Sequence, residues 1–94
     1  MYTFKTVKDV IEYLAENSPD AQLCDGFENA LIGAADSFHG PIAVYDRDEM
    51  LKILEEDMEE EEAEEYFSNN ILGAYAGKLT PLYLVGIRDT KNNA

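Results

Sequence analysis

The sequence lacks most of what would staple, export or anchor a small protein. Its single cysteine, Cys24, cannot form an intrachain disulfide, so an oxidising compartment is not required for folding. No apolar run approaches the roughly 20 residues of a membrane-spanning helix. The opening Met1-Tyr2-Thr3-Phe4-Lys5 has no signal-peptide-like apolar stretch. These absences point to the cytoplasm. Basic residues are also scarce, 7 against 20 acidic ones, for a formal charge of −13 and a pI near 4.1. That balance excludes direct binding to nucleic acid or to an anionic membrane surface. It leaves a basic partner, a divalent cation or plain solubility.

What is present suffices for one domain spanning residues 1–94, with 46% hydrophobic residues and ten aromatics (six Tyr, four Phe). The core of so short a chain is modest. The end, residues 88–94, is polar and expected to fray.

Val7, Val10, Ile11 and Leu14 recur at helical spacing after Thr6, with Asp9 placed for a capping box. Asn17-Ser18-Pro19-Asp20 ends that helix. Two short apolar runs, residues 30–35 and 42–45, flank a turn-rich Asp36-Ser37-Phe38-His39-Gly40-Pro41 and predict a β-hairpin. The first run is also compatible with helix, since Ala and Leu favour it. Asp46 with Glu49 opens a second helix of about ten residues. A third begins near residues 57–60 and carries Ala63, Tyr66, Phe67 and Ile71 on one side, ending at Gly73 and Gly77. Thr80-Pro81 introduces a last strand, residues 82–87. The order α-β-β-α-α-β predicts an α+β fold, a three-stranded sheet packed against helices.

One ordered set of motifs goes beyond composition. Ala30-Leu31-Ile32-Gly33, Pro41 to Tyr45-Asp46, Glu61-Glu62-Ala63-Glu64-Glu65-Tyr66-Phe67, Asn70-x-x-Gly73-Ala74-Tyr75-x-Gly77 and Thr80-Pro81 follow one another in the chain. Over residues 28–84 this resembles a family of small uncharacterised proteins of bacteriophages and prophage-bearing bacteria. The resemblance implies a mobile-element origin, a host-cell cytoplasmic setting and a shared small fold, with no assigned activity. It marks Tyr45, Asp46, Asn70, Gly73, Tyr75, Gly77 and Thr80 as pattern residues of unknown role. The chain departs from the pattern at Glu56-Asp57-Met58-Glu59, where the family tends to have a glycine turn and a Ser or Thr cap.

Twelve of the twenty acidic residues lie between Asp46 and Glu65, against Arg47 and Lys52 alone, so this window holds about −10 of the −13 charges. On two short helices, that approaches the charge density of a nucleic acid. Glu55, Glu56, Glu60, Glu61, Glu64 and Glu65 fall off the apolar stripe and are the candidate partner-binding residues. The bland alternative is a solvated face that keeps the protein dissolved.

No metal site is expected. Asp46, Asp48 and Glu49 resemble the start of an EF-hand loop, but Leu51 occupies the position that needs glycine. No catalytic residue is assigned either. Cys24, His39 and Asp36 lack a clear triad relation, and no phosphate loop or cofactor motif is present. The expected function is non-enzymatic: binding and modulating a basic host protein, in its sharpest form as a DNA-mimicking inhibitor of a nucleic-acid-handling or defence enzyme. The alternative is a structural or self-associating accessory protein with no inhibitory role, using an apolar or tyrosine-rich patch, and an oligomer is compatible with either.

Overall fold

A computed structural model describes residues 4–86; the tail expected to fray lies outside the described residues. The first helix, α1 (Val7–Asn17), starts on a full capping box. The Asp9 amide donates to Thr6 Oγ1 at 3.2 Å, and the Asp9 carboxylate accepts from the Thr6 and Lys5 amides at 3.1 and 2.9 Å. Those amide donors, Lys5 first, hold the Asp9 carboxyl below its ordinary value. Val10 and Leu14 are its fully buried positions. Ser18 closes the helix with its amide on the Leu14 carbonyl at 2.7 Å.

A loop and a 3₁₀ turn (Glu28–Ala30) lead into β1 (Leu31–Ala35), which pairs antiparallel with β2 (Ile42–Asp46). The hairpin turn is closed by paired Ser37 and Gly40 backbone bonds of 3.2 and 3.1 Å, with Gly40 at φ +120°, where a side chain would be strained. Ile32 is an extra residue in β1: the register shifts between Leu31 and Gly33. Asp46 ends β2 and also caps α2 (Arg47–Leu54), its carboxylate accepting from the Asp48 and Glu49 amides at 3.1 and 3.4 Å. The chain continues through α3 (Glu60–Tyr66) and a π-helical turn (Phe67–Leu72) to β3 (Leu82–Leu84), parallel to β2.

The fold is therefore α+β in the expected order, with strand order β1-β2-β3. The helices cover the sheet face that presents Leu31, Ala43 and Tyr45, and these pack with Val10, Leu14, Met50, Leu54, Ala63 and Phe67 in one core. Two edges differ from expectation. Ala30 belongs to the 3₁₀ turn, fully buried with its amide on the Phe27 carbonyl at 2.9 Å. The last strand stops at Leu84, and Ile87 lies outside the described residues. Among the described residues, no helix is long and apolar enough to cross a membrane.

Candidate protein-binding surface

The acidic segment folds as a helix–turn–helix whose outer side is almost entirely carboxylate. α2 ends as the Glu55 amide bonds the Leu51 carbonyl at 2.9 Å, and the Glu56 and Asp57 amides continue the turn. α3 then begins with the Glu59 amide donating to the Glu62 carboxylate at 3.2 Å. Glu60, Glu61 and Glu62 occupy its first turn, where the helix dipole favours negative charge. Only Ala63 and Phe67 of α3 and the π-helical turn are buried, so the apolar stripe there is narrow and the rest of the surface is free for charge.

All six glutamates singled out from the sequence, Glu55, Glu56, Glu60, Glu61, Glu64 and Glu65, are exposed. Asp57, Glu59 and Glu62 are exposed beside them. Periodicity could not add Asp57 and Glu59, because they lie in a turn whose course the pattern does not specify. The two cations of the window are engaged elsewhere. Lys52 meets Glu49 at 3.4 Å, and the Arg47 guanidinium lies over the Phe67 ring at 5.3 Å. From residue 53 to 77 the sequence has no Lys or Arg. Five carboxylates along the roughly 10 Å of α3 compare with about six phosphates on the same length of duplex.

A second cluster lies beneath the helices. The Tyr45 hydroxyl accepts from the Cys24 amide at 2.8 Å, and the Tyr45 ring stacks on Tyr83 at 6.3 Å. Phe67 meets Tyr83 edge-on at 5.3 Å. Cys24 Sγ and Tyr83 Oη lie 3.7 Å apart at the base of an open depression of ≈ 340 Å³, bordered also by Asn70, Ile71 and Thr80. Burial pushes the Tyr45 hydroxyl up to about 12 and raises Tyr83 as well, the latter helped by the neighbouring thiol. Both phenols are therefore neutral near pH 7. A raised phenol keeps its proton when folded and loses it when unfolded, so stability falls as pH climbs from about 10 towards about 12. The Tyr45 share is on the order of 2 kcal/mol. Urea titrations across that window should show the loss, and Tyr45→Phe should reduce it, leaving the part due to Tyr83.

Cys24 and His39 have separate partners. His39 is exposed at the hairpin turn, edge-on to Phe38 at 5.1 Å, and Asp36 is exposed nearby in the chain. Among the described residues, no group of three or more His, Cys, Asp or Glu is placed to hold a metal.

Five of the seven pattern residues have structural tasks. Tyr45 is core and Asp46 is a cap. Gly73 allows close passage, since a Cβ there would sit 3.0 Å from the Asn69 carbonyl oxygen, and Gly77 adopts φ +104°. Thr80 clasps the loop, its hydroxyl accepting from the Ala76 amide at 2.8 Å and donating to the Gly77 carbonyl at 2.7 Å. Asn70 is exposed. Tyr75 is 74% exposed.

No protein-family model, no curated protein and no solved structure matches this chain.

Proposed function

We propose that this is a small non-enzymatic protein of phage type that binds and modulates a basic host protein through the α2–α3 hairpin. In its most specific form it is a DNA-mimicking inhibitor, occupying the nucleic-acid cleft of a nucleic-acid-handling or defence enzyme in the host cytoplasm. The observation that supports this reading is the run of nine exposed carboxylates between Glu55 and Glu65 with no cation among them. A surface of that density offers a basic cleft the charge spacing of a duplex and steers its approach. The reading calls for no cofactor, nucleic acid or membrane.

Affinity capture from host lysate tests it. A cognate partner is retained in low salt, released in high salt and displaced by duplex DNA. Retention that duplex cannot compete would defeat the mimicry.

The non-enzymatic part has its own test. Cys24→Ser and His39→Ala should each shift folding stability by less than about 1 kcal/mol, because one side chain is half-buried and the other exposed. Both should leave the effect on the partner unchanged. Loss of that effect in a folded His39→Ala variant would reopen catalysis.

A further inference from the structure

The helices pack on one face of the sheet; on the other, Ile42 is buried and Val44 half-buried, while the side chains that β3 places there are open to solvent. In register, that face carries Gly33 and Ala35 of β1, Ile42 and Val44 of β2, and Leu82 beside Val44. Leu82 and Leu84 are 52% and 50% exposed, although Tyr83 between them packs into the helical side. Beside Leu82 on this apolar strip, the residues Leu72, Tyr75 and Pro81 border a depression of ≈ 410 Å³ with Ile42 in its wall.

We propose that two copies of this chain pair through this strip, outer face of β3 against outer face of β3, about a two-fold axis. The inference does not rest on the acidic-surface reading.

Two observations select a second copy. The first is area. Leu72, Tyr75, Leu82 and Leu84 expose roughly 500 Å² together if each large side chain offers about 200 Å² when free. Two copies then bury about 1,000 Å², the lower limit for a specific interface, which corresponds to a weak dimer. The second is charge. The carboxylates of α2 and α3 lie in the opposite layer, so face-to-face pairing keeps the two acidic surfaces outermost and apart. Asp46, in register with Leu84, directs its carboxylate to the α2 amides.

Such a dimer has an unusual salt signature. Its contact is apolar while each copy carries −13, so salt screens repulsion and tightens pairing. Sedimentation velocity of the full chain should show a monomer–dimer equilibrium whose Kd falls about tenfold between roughly 0.1 and 1 M salt. Leu82→Lys with Leu84→Lys should be monomeric at every salt while keeping the circular dichroism of the parent. Should that variant fail to fold, Tyr75→Ser, at a largely exposed position, should still raise Kd several-fold. A monomer at submillimolar concentration in all salts overturns the proposal, as does a dimer indifferent to these substitutions. Methyl contacts from Leu82 and Leu84 to residues 87–94 within a monomer would instead assign the face to the chain's own end. A one-to-one complex with a different protein on this face, in place of self-pairing, also refutes it.

Discussion

Phe67→Ala should destabilise the protein by about 3–5 kcal/mol, a large share of the roughly 5–15 kcal/mol available to a domain of this size. Phe67 is 1% exposed and is the largest buried side chain of the α3 and π-helical stretch; Ala63 is its only other fully buried residue. Its ring meets Tyr83 edge-on and lies under the Arg47 guanidinium, so truncation removes contacts to β3 and α2 together. The glutamates of α3 repel one another and do nothing to replace that anchor. Urea denaturation should show the midpoint collapse. Tyr66→Ala, one residue earlier and 43% exposed, should cost far less. Comparable losses at the two positions would mean that α3 is not held by the stripe described.

The elements that were legible in the sequence are those whose signal is local. Thr6 with Asp9, and Asp46 with Glu49, announce helix starts because capping needs specific side chains at fixed offsets, and both sets of amide bonds form. The hairpin was legible from two apolar runs around a Gly-Pro turn. The exposed glutamates were legible because α3 has so few apolar positions to bury.

What was not legible depends on distant partners. The π-helical turn arises as the Gly73 amide bonds the Ser68 carbonyl at 3.1 Å, five residues back, and periodicity read at 3.6 residues per turn does not register that widening. Tyr45 and Tyr83 read only as apolar positions, whereas their hydroxyls converge on Cys24 across 21 and 59 residues. Leu82 and Leu84 belong to the apolar run that predicts the last strand, but which face of that strand is covered depends on distant helices, and both are half-exposed.

The other large effect concerns binding. Glu56, Glu60, Glu61 and Glu64 are exposed, and replacing all four with glutamine keeps their shape while removing four charges. At about 0.5–1 kcal/mol per exposed charge contact, the basic partner should be bound about 2–4 kcal/mol more weakly, roughly thirtyfold to several hundredfold. Folding stability should hold or rise slightly, since like charges at neighbouring helical positions repel. Opposite signs for binding and stability separate a functional surface from a merely misfolded variant.

The most direct measurement is the affinity of both forms for the captured basic partner, by fluorescence anisotropy, from about 0.1 M to 1 M salt, over which the Debye length shrinks from about 10 Å to about 3 Å. The account predicts tight binding of the unmodified protein at low salt, a steep loss as salt rises, displacement by duplex DNA, and weak, shallowly salt-dependent binding of the quadruple glutamine variant. Equal affinities for the two forms across the series would contradict it and return the glutamate run to a solubilising face.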